Sequence, residues 1–254
     1  MRTILAIAGR ELRASFVTPL AYVVLSSFVL ISGFFFFTLL QEFNAALDAA
    51  AMMPQMHANL NEWVVTPYYQ TLLIVLIFLI PVLTMRAIAE EKRSGTFELL
   101  ATSPLKVSEI IWGKVVGTGG VVVTMITLAF LFPLVLIRFA DPEVLPIFVG
   151  YFGLIIFSFA FVALGVAISC FTKSQTVACV LGAILFLLFY VIDAPAARIG
   201  GTIASVLSYL SPATHVEQML KGVVQGVDLV YFASLLAFGI FLANRALDAE
   251  RYRS

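Results

Sequence analysis

The sequence predicts an all-α integral membrane protein with six transmembrane helices. Composition is the first observation: 61% of its 254 residues are apolar and only 12% are charged, against roughly 45–50% and 25% in soluble domains. A soluble chain of this length has too little interior to hide so much apolar surface, whereas a lipid-embedded one need not hide it. The second observation is segmentation. The apolar residues gather into six runs near the ~20 residues that a helix needs to cross a bilayer. The third is the distribution of cations among the connections, which gives a consistent orientation.

The spans are read at 19–40, 70–87, 110–137, 145–171, 176–192 and 229–247. The first, fourth and sixth are uninterrupted. The second is short and holds Pro81, and the third holds Pro133 near its far end. Neighbouring helices re-satisfy the carbonyls that a proline frees, so neither breaks the reading. Arg2, Arg10 and Arg13 precede the first run, which is longer than the roughly 7–15 apolar residues of a signal peptide. A retained span is therefore expected. Ala49-Ala50-Ala51 lies too far downstream to serve as a cleavage site.

With the N-terminus inside, twelve cations face the cytoplasm: Arg2, Arg10, Arg13, Arg86, Lys92, Arg93, Lys106, Lys114, Lys173, Arg245, Arg251 and Arg253. Only Arg138, Arg198 and Lys221 lie outside. The excess predicts a multi-pass protein of the bacterial inner (plasma) membrane with both termini cytoplasmic and an even number of spans. The first outer loop, 41–69, is long, acidic and free of Lys and Arg, and 138–144 is short. The stretch 193–228 carries Ile199, Ile203, Val206, Leu207, Leu210, Met219 and Leu220, interrupted by Pro212. It is too apolar for a free loop and too broken for one span, so a pair of short re-entrant or interfacial helices is expected over 196–226.

Net charge is zero, and no nucleic-acid partner is implied. Cys170 and Cys179 are too few for a disulfide framework and read as small buried hydrophobes. Ionisable residues sit at span ends, which disfavours an ion-driven carrier. The chain has no G-x-x-x-x-G-K-[ST], H-E-x-x-H or G-x-S-x-G pattern. It is thus not expected to bind ATP or to act as an enzyme by itself. No catalytic residue, bound cofactor or protein metal site is assigned. Met52-Met53-Pro54-Gln55-Met56-His57 offers Cu(I)-compatible donors, against the simpler reading of an apolar loop segment. Gly113-x-x-x-Gly117, with Gly119 and Gly120 behind it, permits close helix contact, either between two copies or within one. Phe34, Phe35, Phe36 and Phe37 face all sides of their helix and read as lipid contact and packing. His215 and Glu217 form a candidate polar site at the outer mouth, with satisfaction of re-entrant backbone as the simpler reading.

The most informative stretch joins spans two and three: Glu90-Glu91-Lys92-Arg93-Ser94-Gly95-Thr96-Phe97-Glu98-Leu99-Leu100. Ser94 can cap a short helix, with Glu98 suited to its first turn. Phe97, Leu100 and Ala101 fall on one face at i, i+3, i+4, and Ser103-Pro104 ends the helix. Ser108 is a plausible cap for the next span. A short cytoplasmic amphipathic helix at 90–103 either lies on the headgroups or docks a cytoplasmic partner, and periodicity alone does not separate the two.

Residues 90–100, with Ser103-Pro104-Leu105 and Gly113-Lys114, resemble the coupling-helix region of ABC-2 type transporter permeases. Phe78-Leu79-Ile80-Pro81-Val82-Leu83-Thr84-Met85-Arg86 extends the resemblance. His215-Val216-Glu217, Lys221-Gly222-Val223 and Asp228-Leu229-Val230-Tyr231-Phe232 resemble the gliding-motility-associated subfamily. The resemblance implies a type V exporter-like fold: six spans, an N-terminal elbow helix at 1–14, a cytoplasmic coupling helix and short extracellular re-entrant helices. It implies the membrane subunit of an ATP-driven exporter that dimerises with a second copy or a homologous permease. Two copies of a separate cytoplasmic ABC ATPase would carry ATP and Mg, and their closure would push residues 90–100 to switch the cavity outward. The alternative is a non-transporting adaptor that drives an envelope or motility machine, with a periplasmic or auxiliary membrane partner.

Overall fold

The computed structural model describes residues 2–52, 59–96, 105–140, 142–194 and 201–251, with the backbone alone at 49–52. The described residues are helical with no strands, as backbone groups in lipid require. Helix α1 (Arg2–Val17) is amphipathic and packs along the start of α5. At Thr18 the chain turns, its hydroxyl and N–H both donating to the Ser15 carbonyl at 2.7 and 3.2 Å. Helix α2 (Pro19–Met52) follows, opened by a proline whose missing N–H costs nothing in a first turn.

The remaining elements are a π-helical turn (Asn61–Val65), α3 (Thr66–Thr84), α4 (Ala89–Arg93), α5 (Val107–Phe139), α6 (Val144–Cys170), α7 (Gln175–Val191), α8 (Gly201–Leu210), α9 (Pro212–Leu220) and α10 (Gly226–Arg251). Among the described residues, five stretches are long and apolar enough to cross a membrane: Pro19–Asp48, Asn61–Arg93, Val107–Phe139, Val144–Cys170 and Gly226–Arg251. Helix α7 has 17 residues, about 26 Å at 1.5 Å per residue, slightly short of a ~30 Å hydrocarbon core.

Helix α6 is the hub, with α3, α5, α7, α9 and α10 packed around it. Phe157 and Phe161 stack with centroids 4.1 Å apart, and Phe186 of α7 and Phe232 of α10 meet them edge-on. Gly239 brings α10 so close that a Cβ there would lie 2.8 Å from the Ala163 carbonyl carbon. The small-residue contact does what close helix packing in lipid requires. Tyr68 and Tyr69 are buried with their hydroxyls donating to the carbonyls of Ala129 and Ile147 at 2.9 and 2.7 Å. The outer residues of α2, α7 and α10, among them Leu30, Phe34, Ile184, Leu188, Val230 and Phe241, are exposed apolar side chains, as suits lipid-facing helices.

Several expectations change. The outer loop at 41–69 is mostly helix: α2 runs on to Met52, and the π-helical turn and α3 begin before residue 70. The Ala-rich run 45–51 favours helix despite its mixed polarity, and Phe43 and Ala46, three apart, are buried by it. Helix α3 runs from Thr66 to Thr84, within the longer apolar stretch Asn61–Arg93 that contains the expected 70–87. Ser108 lies inside α5, whose N-cap position is Lys106. Of the four phenylalanines, Phe36 is buried against Tyr68 and Phe132, while Phe34 and Phe37 face outward. The paired short helices within 196–226 are present as α8 and α9. Met53–His57, the 97–103 part of the coupling segment, and residues 196–200 lie outside the described residues.

Candidate coupling site at the charged end of the bundle

Helix α4 is a single five-residue turn, Ala89-Glu90-Glu91-Lys92-Arg93, too short to hold its shape alone. Its stability comes from its neighbours. Ser169, near the end of α6, accepts from the N–H groups of Ile88 and Ala89 at 3.1 and 3.0 Å and donates to the Met85 carbonyl at 3.2 Å. One buried hydroxyl thus satisfies two donors that a helix start leaves orphaned. Ile88 and Ala89 are themselves fully buried.

The charged residues divide by direction. Glu91 Oε1 accepts from Lys114 Nζ of α5 at 2.8 Å, and the same ammonium reaches Glu11 Oε1 of α1 at 3.0 Å. Arg10 flanks both carboxylates at 3.5 and 3.9 Å. The Lys114 side chain is 2% exposed, and two carboxylates offset the cost of burying it. Lys92 is also buried. Its ammonium pairs with Glu250 near the end of α10 and donates to the Cys170 carbonyl. Helix α4 is therefore tied to α1, α5, α6 and α10 together. It shares one end of the bundle with α1 and the last turns of α10.

Glu90, Arg93, Ser94, Gly95 and Thr96 are exposed. Ser94 closes α4: its hydroxyl donates back to the Glu90 carbonyl at 2.9 Å and meets Thr96 Oγ1 at 2.9 Å. Gly95 then takes φ +73°, a left-handed conformation that glycine adopts without steric cost. Of the eleven residues read as the coupling segment, five thus form an exposed turn and Glu91 and Lys92 anchor it inward. Phe97, Glu98, Leu99 and Leu100 lie outside the described residues. The sequence reading missed Ser169, Lys114, Glu11 and Glu250 as partners. The available signal was charge in the margin of an apolar span, as at Lys114.

The glycines of α5 serve the same end. A Cβ on Gly113 would lie 2.6 Å from Ile7, and one on Gly117 2.7 Å from Glu11 and 3.1 Å from the Ala8 carbonyl. The small-residue motif seats α1 against α5 within one chain.

Part of this site lies within a stretch that a family model recognises. The model of the ABC-2 family transporter proteins matches residues 44–244. The chain belongs to the ABC-2 transporter family. A search of curated proteins finds no match. Membership makes this a multi-pass permease, the transmembrane subunit of an ABC transporter, and permeases of this family generally work with a cytoplasmic ABC ATPase and often dimerise. Glu91, Lys92, Lys114 and Ser169 fall inside the matched range of this permease, whereas Glu11 and Glu250 fall outside it.

At the opposite end, His215 and Glu217 do not form one site. His215 Nδ1 lies 2.7 Å from Asp228 Oδ1, and its Nε2 lies 3.0 Å from the Tyr209 carbonyl. The imidazole stacks on Tyr231 with centroids 4.0 Å apart. Glu217, two residues on and so on a different helix face, is half-buried and pairs with Lys221 at 2.6 Å. Asp228, missed from sequence, sits in the first turn of α10, where the helix dipole favours an anion. The pair joins α9 to α10, while Tyr231 donates to the Leu210 carbonyl at 2.7 Å and draws in α8.

Proposed function

We propose that this permease is the membrane subunit of an ATP-driven exporter in the bacterial inner membrane, with α4 and the turn 94–96 as the contact for a separate cytoplasmic ABC ATPase. ATP and Mg belong to that ATPase. In this reading the protein has six spans, with α7 as the short fifth one, works as a pair with a second copy or a homologous permease, and has both termini cytoplasmic. The resemblance of the 215–232 region supports placing it near the gliding-motility-associated permeases.

One observation carries the reading: a five-residue helix with an exposed tip is bound by buried polar contacts to four other helices. A load on Arg93, Ser94, Gly95 or Thr96 is delivered through Glu91 to α1 and α5, and through Lys92 to α10. A loosely attached loop would dissipate it. Packed interfaces of this kind move as units between discrete arrangements.

The test is co-expression with the cognate ATPase, followed by co-purification and ATP hydrolysis in proteoliposomes. Gly95→Pro cannot adopt φ +73°, since proline is held near −65°. It is expected to insert normally yet to lose the ATPase or its stimulation by the permease. Undiminished assembly and stimulation would refute the assignment.

A further inference from the structure

His215 faces a hydrogen-bond acceptor on each of its ring nitrogens. Nδ1 lies 2.7 Å from a carboxylate oxygen of Asp228, and Nε2 lies 3.0 Å from the Tyr209 carbonyl. A carbonyl only accepts, so Nε2 must carry a hydrogen. A neutral imidazole has one N–H and one lone pair. With its hydrogen on Nε2, the Nδ1 lone pair would face Asp228 Oδ1 at a distance that calls for a hydrogen between them. The arrangement is complete only with one proton more than a neutral ring and an ionised carboxylate hold. Imidazole is ordinarily the stronger base of the two. Asp228 also stands in the first turn of α10, where the helix dipole favours its anion. The proton therefore sits on the ring, and both contacts are those of an imidazolium.

The charge in contact with the ring is Asp228. Tyr209 of α8 meets the imidazole edge-on and Tyr231 of α10 stacks on it. On α9 itself, Glu217 pairs with Lys221. Helices α3, α6 and α7 also pack on α9, and their nearby titratable groups are engaged elsewhere. Tyr69 donates to the Ile147 carbonyl, Tyr151 meets Thr127, and Tyr190 lies within electrostatic reach of Asp193 and Glu217.

What hangs on the proton is α8. None of its residues is buried, so it has no packed core contact of its own, and such elements open at low cost. Two carbonyls at its end fasten it, that of Tyr209 on His215 and that of Leu210 on the Tyr231 hydroxyl. When the ring gives its proton to water, one N–H remains, and the charge-assisted bond to Asp228 is the stronger claimant. Nε2 then turns a lone pair toward the Tyr209 carbonyl, acceptor against acceptor, and α8 loses one of its two ties.

We infer that His215 and Asp228 form a proton-binding site at the end of the bundle opposite the coupling turn, and that its occupancy decides whether α8 is clamped to α9 and α10. The clamped form binds one proton more than the released form. The clamp is therefore complete at low pH and weakens as pH rises through the titration of the ring. The inference rests neither on ATP coupling nor on a direction of transport.

Hydrogen exchange of the whole chain in nanodiscs tests it, with protection over 201–210 compared at about pH 5 and pH 8, the range in which histidine changes charge, after correction for intrinsic rates. One proton changes an equilibrium by at most about tenfold per pH unit. Protection is expected to fall at least about tenfold across the range, while that of α6 stays level. His215→Gln, which does not titrate, should show no such fall. Equal protection at both pH values, or the same fall in the variant, would overturn the site. If His215→Gln fails to fold, the ring can be read directly, because the chain has two histidines, His57 and His215. With isotopically labelled histidine and His57→Asn, nuclear magnetic resonance should find two N–H groups on the remaining ring at the lower pH and one at the higher. A single N–H at the lower pH would equally overturn the proposal.

Discussion

Lys114 Nζ lies 2.8 Å from Glu91 Oε1 and 3.0 Å from Glu11 Oε1, at a point where almost no solvent reaches the ammonium. One cation from α5 thus joins α1 to α4. Buried charges of this kind are expensive to strand, and truncating one partner exposes that expense.

Lys114→Met leaves the carboxylates of Glu11 and Glu91 facing each other without the ammonium between them. The expected loss of stability is large, up to about 3–5 kcal/mol. Glu91→Gln leaves Lys114 with Glu11 and should cost less, about 1–3 kcal/mol. Glu91→Lys places a second cation at the same point and should uncouple the ATPase as well as destabilise. Unfolding midpoints in detergent, measured for all three, rank the effects.

Ser169→Ala removes one oxygen but orphans the N–H groups of Ile88 and Ala89. A loss of about 1–3 kcal/mol is expected, together with faster amide hydrogen exchange confined to 86–93. Uniform exchange across α6 would point instead to general core damage.

Gly117→Leu drives a side chain into Glu11 and Ala8. Helix α1 should leave α5 and become open to protease while the oligomeric state stays as it was. A switch to monomer in native mass spectrometry would show that the glycines also serve a contact between copies.

Asp228→Asn should loosen α8 and α9 from α10, read as increased hydrogen exchange over 201–220, and cost about 1–3 kcal/mol because the His215 contact is buried. Glu217→Gln removes an exposed pair with Lys221 and should cost about 0–1 kcal/mol. Equal effects from the two substitutions would remove the distinction drawn here between them.

Apolar helices around 145–171 and 229–247 were legible because length and apolarity are local properties; α6 runs Val144–Cys170, and α10, Gly226–Arg251, extends beyond its apolar run at both ends. The extension of α2 beyond residue 40 was not, because Gln41, Glu42, Asn44 and Asp48 lower the hydropathy of a segment that nonetheless keeps its helical backbone. In the segment 90–100 the sequence suggested Ser94 as the start of a helix, whereas it stands at the C-terminal end of α4. Ser94 suits the start of a helix by type, yet its hydroxyl turns back to Glu90 once α4 is held in place by Ser169. At the outer end, nearness in sequence suggested Glu217 as the partner of His215, and the fold supplied Asp228, 13 residues away.

By itself the sequence determined that this chain is helical, where its apolar segments lie, that one charged stretch interrupts them, and which transporter family that stretch resembles. These follow from hydropathy, period and residue type, each readable in a short window. Only the tertiary structure decided which charges of 90–96 are exposed and which face the protein. The energy of a buried charge depends on groups brought from elsewhere, and Glu11 reaches Lys114 across 103 residues of chain.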